Sequence, residues 1–401
     1  MYIAVHRANA CVYSCVTQIT RNWFRGEMFM KMRVILALAM SVGIAACAQQ
    51  QAAQQPAATE QKAAPAAPAA PAGGGMNGTA EAQAKQAELE KNTPQLKVTE
   101  EVLRLNVPGQ TIGETVGVAK NSQGHLFVFS RTGKTATVKG SAASMLFEFD
   151  QNLKFIKEWG PNNYASAFAH TVRIDKNDNV WMTDEGANMI VKFRPDASVE
   201  MVLGRKEEPL DWLEKFVEEG EHLEGFPNAR PWVFNRPTDV TWSTDGSIFV
   251  TDGYNNSRVA KFDAKGNWVK AIGERGSAPD QFNTPHGIAS DAQGNIYVAD
   301  RGNRRVQVYD PELKRLRIIE GMGAPWSACI SPGATPHLFT GDGNGKIYKF
   351  DLDGKLLGWA QTSQNHGQSG CLVHELHCES DTVIYKGDCS TWTVEKITIG
   401  Q

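Results

Sequence analysis

The sequence lacks an excess of charge of either sign. Lys and Arg number 41 against 44 Asp and Glu, a formal net charge of −3. No run of Lys or Arg occurs, so no electrostatic feature points to nucleic acid. The apolar run Val34 to Ala46 falls short of the roughly 20 residues that cross a bilayer comfortably. Cysteine is sparse, seven in 401 residues, and the late spacing Cys371-x6-Cys378-x10-Cys389 matches no zinc pattern. Residues 48 to 78 are Ala, Gln, Pro and Gly with almost no large apolar side chain. Such a segment cannot bury enough surface to offset chain entropy and reads as a disordered tether.

The N-terminal region carries an address. Lys31 and Arg33 precede the apolar run, and small residues end it, the three parts of a secretory signal. Its end, Ile44-Ala45-Ala46-Cys47, resembles the lipobox of bacterial lipoproteins, in which the Cys becomes the lipidated first residue. Residues before about Met28 fit no signal pattern, and the start is expected at Met28, Met30 or Met32. The expectation is an exported cell-envelope lipoprotein held to the membrane through Cys47; an uncleaved anchor is the alternative. Four cysteines remain late in the chain: Cys329, Cys371, Cys378 and Cys389. In an exported protein they can form two disulfides, with three possible connectivities, expected to tie the last repeats together. Thr79 to Lys91 is Ala-, Glu- and Lys-rich and reads as a short exposed helix.

From about Val98 short β-rich runs alternate with Asp, Asn and Gly turns. The clearest repeat pair is Pro237 to Asp252 and Pro285 to Asp300, each followed by an Asn, an Arg and a third strand, Arg258–Asp263 and Arg305–Asp310. Weaker copies centre on Ser130, Asp184, Asp342 and Asp388. Repeats of this length correspond to one four-stranded blade each. The prediction is an all-β, six-bladed β-propeller over 98–401, after a leader and signal (1–47) and a linker (48–97). The strand near Thr99 to Leu105 is expected to pair with Trp392 to Ile397 and clasp the ends. Asp245-Gly246 and Gln293-Gly294 should close inner hairpins, because Gly tolerates positive φ. Residues 205–234 interrupt the period with an amphipathic pattern, a helix packed on the rim or a lid.

Three histidines, His170, His286 and His374, each precede a repeat Asp (Asp184, Asp300, Asp388) by 14 residues. The matching positions in the other copies are Val116, Thr238 and Ala328. Alternate blades would then aim one imidazole each at the centre, about 120° apart, a metal site with an open position. His125, His222, His337, His366 and His377 lack that register and are expected in loops or on the surface, with His377 a neighbour of the site. Arg131 and Arg301 each follow a repeat anchor by one residue in opposing blades, and two guanidinium groups there would suit a carboxylate. Tyr254, two residues past Asp252, is a candidate base. Arg258, Arg305 and the repeat Asp residues read as structural.

The pattern Gly-x-Ile-Tyr-Val-x-Asp followed by Asn-x-Arg-Val is similar to NHL repeats across roughly residues 98 to 398. Within it, Asn235-Arg-Pro-Thr-Asp-Val, Thr251-Asp-Gly-Tyr-Asn-Asn-Ser-Arg-Val, Gln281-Phe-Asn-Thr-Pro-His-Gly-Ile and Val298-Ala-Asp-Arg-Gly-Asn-Arg-Arg-Val resemble the peptidyl-α-hydroxyglycine α-amidating lyase family. The resemblance implies a six-bladed propeller that splits a carbinolamide into an amide and glyoxylate. It implies a channel Zn2+ on His170, His286 and His374, with Arg131, Tyr254 and Arg301 at the substrate-binding and catalytic positions. It also implies a structural Ca2+ held by backbone oxygens of Val118 and Val172 and by the carboxylate after the third His, here Glu375. Departures are Glu375 for Asp, Leu372 for Met near the substrate, and the absence of the family's disulfide cysteines in blades 3 and 4.

The function expected is therefore a metal-dependent lyase acting, as a monomer, on a small peptide-like or acyl-hydroxyglycine substrate. A non-catalytic NHL propeller binding a protein or glycan at the cell envelope is the alternative. Lactonases and streptogramin-type lyases, which place carboxylates on the channel metal, fit three aligned His less well.

Overall fold

The computed structural model describes residues 79–131, 144–206, 233–362 and 370–400. The leader, signal, lipidation site and tether, residues 207–232 of the insertion, His222 and His366 lie outside them. Among the described residues no helix is long and apolar enough to cross a membrane.

The chain enters through helix α1 (Ala80–Lys91), whose first turn is capped by the Thr79 side chain accepting from the Ala82 N–H. Strand β1 (Val98–Val102) follows. Blade 1 comprises β2 (Glu114–Lys120), β3 (Leu126–Arg131), β4 (Ser144–Phe149) and β5 (Phe155–Trp159); blade 2, β6 (Ala169–Ile174), β7 (Val180–Asp184), β8 (Met189–Phe193) and β9 (Val199–Gly204). Blade 3 holds β10 (Asp239–Trp242), β11 (Ile248–Asp252), β12 (Arg258–Phe262) and β13 (Trp268–Ile272); blade 4, β14 (Pro285–Ser290), β15 (Ile296–Asp300), β16 (Arg305–Tyr309) and β17 (Arg315–Glu320). Blade 5 holds β18 (Pro325–Ile330), β19 (Leu338–Asp342), β20 (Lys346–Phe350) and β21 (Leu356–Gln361). Blade 6 takes β22 (Glu375–Cys378), β23 (Val383–Asp388) and β24 (Thr393–Ile399), and its outer strand is β1, paired from Val98↔Ile399 to Val102↔Glu395. The expected clasp of the chain ends is therefore present.

Why six blades stack follows from the period of two. Along β11, Ile248 and Val250 pack toward blade 2 with Trp181 and Leu203, while Phe249 packs toward blade 4 with Ile288 and Ile296. A sheet with both faces apolar needs a neighbour on each side. The same alternation builds the other interfaces: Phe127 and Phe129 with Met182, Tyr297 with Leu338, Cys329 with Ile384, and Phe147 with Tyr385. The turns repeat one device. The Asp291 carboxylate accepts the N–H groups of Gln293 and Asn295, and Asp175 and Asp263 do the same in their blades. Gly246 and Gly294 follow at φ of 84° each, the left-handed conformation expected of them.

Both late disulfides form: Cys329–Cys378 joins blades 5 and 6, and Cys371–Cys389 closes blade 6 on itself just ahead of His374. Helix α1 is not free of the propeller. Glu90 pairs with Lys346 at 2.6 Å and accepts from the Tyr348 hydroxyl at 2.8 Å, both on blade 5.

Phe249 is fully buried between blades 3 and 4. Phe249→Ala should cost about 3–5 kcal/mol, read as a drop in the urea unfolding midpoint; a loss under about 1 kcal/mol would contradict the two-sided packing.

Candidate functional site

Each blade presents the start of its innermost strand to the hub. Ala169 pairs with Asp184 and Pro285 with Asp300, and the residue after each, His170 and His286, stands at the centre. His374 N–H donates to Gly387 O directly before β22 and completes the set. In the fifth blade the 14-residue offset misleads. The β18–β19 turn spans 331–337, where the β14–β15 turn spans 291–295, and Pro325 pairs with Asp342 as Pro285 pairs with Asp300. Trp326 therefore takes the hub position assigned to Ala328, which lies two residues further along β18.

The three imidazoles meet. Ring centroids are 4.5 Å (His170–His286), 4.8 Å (His170–His374) and 5.0 Å (His286–His374) apart. One nitrogen from each falls within 4.8 Å of the others, and this trio is fully buried. Burial pushes all three pKa values well below the ordinary His range; the other two imidazoles and Arg131 add to this at His170, Arg301 does so at His286, and Arg131 at His374. The rings are therefore neutral. His286 Nδ1 faces the Trp326 carbonyl at 2.6 Å and His374 Nδ1 faces the Val116 carbonyl at 2.7 Å. A carbonyl only accepts, so each Nδ1 carries the proton and each Nε2 keeps its lone pair. The homologous acceptor for His170, the Thr238 carbonyl, also takes the Thr171 hydroxyl at 3.0 Å, and its effect on the ring is to raise the pKa slightly against the larger effect of burial. Three neutral imidazoles that turn their lone pairs to one another fit a divalent metal.

Tyr254 lies over this trio. Its Oη is 3.2 Å from His286 Nε2 and 3.4 Å from His170 Nε2. The preceding Gly253 permits the approach, since a Cβ there would stand 1.9 Å from the Pro285 carbonyl. Two cations flank the phenol ring, with guanidinium carbons 4.6 Å (Arg236) and 5.4 Å (Arg301) from its centroid. Burial raises the Tyr254 pKa, Arg301 and Arg131 pull it down, and Glu185 pushes it up.

The rim holds more charge than the sequence reading anticipated. Arg131 donates to the Ala169 carbonyl at 2.9 Å and to Glu114 at 3.0 Å, and lies 4.0 Å from Glu185. Glu185 also pairs with Arg236. Arg301 stacks 4.4 Å from the Trp326 ring, and no carboxylate pairs with it among the described residues. Glu185 follows Asp184 as Arg131 follows Ser130 and Arg301 follows Asp300, so the same offset would have found it. Arg236 carries no such signal.

Asp252 and Asp300 accept from the Asn235 and Asn283 N–H groups and pair with Arg258 and Arg305, and Asp184 takes the N–H groups of Ala167, Phe168 and Ala187. They brace loops, as expected. His125 pairs with Glu148, His337 with Asp381, and the His377 ring lies 6.2 Å from Tyr385. Val118 and Val172 are fully buried on β2 and β6. Glu375 is buried beside Arg173, whose Nη2 is 2.6 Å from Glu375 Oε1. Leu372 is fully buried just ahead of His374.

The NHL repeat family matches residues 234–262 and 282–309. A probable peptidyl-alpha-hydroxyglycine alpha-amidating lyase of Caenorhabditis elegans is 32% identical over 239 residues, 56% of this chain and 63% of that protein. The peptidylglycine alpha-amidating monooxygenase of Rattus norvegicus is 26% identical over 321 residues, 72% of this chain and 30% of that protein. Human NHL repeat-containing protein 3 is 27% identical over 232 residues, 56% of this chain and 57% of that protein. The chain thus spans less than two thirds of each of these relatives. The fold is a six-bladed β-propeller, with the NHL repeat matched in its third and fourth blades, and the sequence is similar to a peptidyl-alpha-hydroxyglycine alpha-amidating lyase.

The buried imidazoles set a pH dependence. Their folded pKa values lie below the ordinary His value of about 6.5, so the unfolded chain takes up protons that the folded chain refuses. Their contribution is fully present above the unfolded pKa and is lost as pH falls below it. The urea midpoint of metal-stripped protein should therefore drop between about pH 7.5 and about pH 5.5, and less steeply in His170→Phe; identical slopes would contradict three buried neutral imidazoles.

Proposed function

We propose that this chain is a metal-dependent carbon–nitrogen lyase that splits a peptidyl-α-hydroxyglycine, or a similar N-acyl carbinolamide bearing a carboxylate, into an amide and glyoxylate. The observation that carries this reading is the position of Tyr254 Oη, within 3.4 Å of two of the three buried imidazoles and flanked by Arg236 and Arg301. The likeness to the worm protein, a probable lyase of this kind, supports it.

Zn2+ is the proposed occupant of His170, His286 and His374, because neutral imidazole suits it and three ligands leave a position free; when bound it supplies Lewis acidity that lowers the pKa of a substrate hydroxyl. The remaining work falls to side chains. Three guanidinium groups (Arg131, Arg236, Arg301) face two carboxylates (Glu114, Glu185), leaving one positive charge for one substrate carboxylate. Arg301 is the group without an acid partner among the described residues and binds that carboxylate; Arg131, held by Glu114 and the Ala169 carbonyl, contributes field and position. Tyr254 Oη takes the hydroxyl proton; burial holds its pKa above the ordinary tyrosine value, and Arg301 and Arg131, with the cation the imidazoles would hold, bring it down. The C–N bond breaks with its electron pair going to nitrogen, the carbonyl forms, and the proton is returned to the departing amide. No water is consumed, so the reaction is an elimination.

We further propose an exported lipoprotein, monomeric and anchored at Cys47. The signal-like residues 31–47 and two disulfides, which persist in oxidising compartments, support it.

Purified protein supplied with N-benzoyl-α-hydroxyglycine should release benzamide and glyoxylate in equal amounts and carry about one zinc per chain. His286→Ala should lose the metal and the turnover together. Metal-free protein with full turnover would overturn the scheme, and metal-free, inactive wild-type protein would favour a binding propeller. Arg301→Ala should raise KM about 10- to 100-fold through loss of a charge-assisted contact. Tyr254→Phe should lower kcat about 10²- to 10⁴-fold while leaving zinc content unchanged; unaltered kcat would exclude Tyr254 as the base.

A further inference from the structure

Three residues beyond His170, on the same inner strand, Arg173 sends its guanidinium across the hub. Nε and Nη2 take the two oxygens of Asp239 at 3.0 and 2.5 Å. Nη1 donates to the Leu376 carbonyl at 3.1 Å, and Nη2 to the Ala328 carbonyl at 3.4 Å. Nη2 also stands 2.6 Å from Glu375 Oε1. The group thus joins β6 of blade 2 to blades 3, 5 and 6. Asp239 reaches blade 4 as well, accepting the Ile288 N–H at 2.9 Å.

We infer that Arg173 is the fixed axial cation of this propeller and does the work that the family resemblance assigns to a bound Ca2+. Two buried carboxylates at the hub, Asp239 and Glu375, need positive charge nearby, and Arg173 supplies it covalently. Calcium takes 6–8 oxygens at about 2.3–2.6 Å. Here both Asp239 oxygens and the Leu376 and Ala328 carbonyls accept from N–H donors, and Glu375 Oε1 already has a guanidinium nitrogen at 2.6 Å. A dication bound to Oε1 at calcium distance would lie within roughly 5 Å of that nitrogen, where two cations repel strongly in a dry interior. Neither Glu375 oxygen accepts a hydrogen bond; with the Val118 and Val172 carbonyls that the resemblance names they offer four oxygens, short of the roughly six to eight of a calcium shell. The Glu375 side chain, one methylene longer than the family's Asp, reaches the arginine. The folded ring is accordingly independent of calcium, whichever reaction the histidine site performs.

The test uses the full-length, metal-replete protein in two measurements. Equilibrium dialysis should find no calcium retained by the wild type at about 5 mM, above the range of extracellular calcium modules, and Tm should move by less than about 1 °C on adding it. Arg173→Ser, which leaves the carboxylates without their cation, should melt lower and recover by about 4 °C or more with the same calcium. About one calcium bound per wild-type chain, or a wild-type Tm that rises with calcium as the variant's does, would overturn the inference. Neither readout depends on turnover, so failure of the lyase reading leaves the result interpretable.

Discussion

Three imidazoles buried at the axis of a closed ring impose the constraint on which the rest of the structure depends. A buried His must be neutral, and each ring nitrogen needs a partner or a purpose. The ring answers this with a neighbour rule. The proton on His286 Nδ1 goes to a carbonyl of blade 5, and that on His374 Nδ1 to a carbonyl of blade 1. The tautomer at the hub is therefore set by the stacking of adjacent blades, and blade stacking by side chains that alternate between two neighbours. Closure through β1 and β24 brings blade 1 to blade 6, and with it the Val116 carbonyl to His374. Fold and site are in this sense one arrangement.

Above the imidazoles, charge is nearly balanced in a small volume. Glu185 is shared between Arg236 and Arg131, Glu114 holds Arg131, and Tyr254 lies among them. The consequence, among the described residues, is a rim with one guanidinium more than its carboxylates. On the other side of the same strands, Arg173 joins Asp239 and Glu375 and links four blades. The positive charge of the rim reinforces the neutrality of the imidazoles: Arg131 and Arg301 each depress their pKa values further.

Much of this was legible in the chain because the blade has a period. The 14-residue offset from His to repeat Asp holds wherever the intervening hairpin has the same length, which is why His170, His286 and His374 converge as read. It fails in blade 5, where two extra turn residues shift the register and place Trp326, not Ala328, at the hub. The structural Asp–Arg pairs of blades 3 and 4 were legible for the same reason, since Arg258 and Arg305 recur at one distance from their anchors. Glu185 was legible and overlooked. Arg236 and Arg173 were not, because each acts through partners far away in sequence: Arg236 on Glu185 and Arg173 on Asp239, Leu376 and Glu375. The docking of α1 was likewise hidden, as its contacts with Lys346 and Tyr348 are made by Glu90, a residue type expected on any solvated helix face.

The central claim is that one cation is gripped by three neutral imidazoles at the hub. Diffraction from a crystal of the purified protein, recorded above and below the absorption edge of its bound metal, tests it most directly. The account predicts a single anomalous peak bounded by His170, His286 and His374, with Tyr254 above it. A hub without such a peak in metal-replete protein, or a peak coordinated by other side chains, would contradict it.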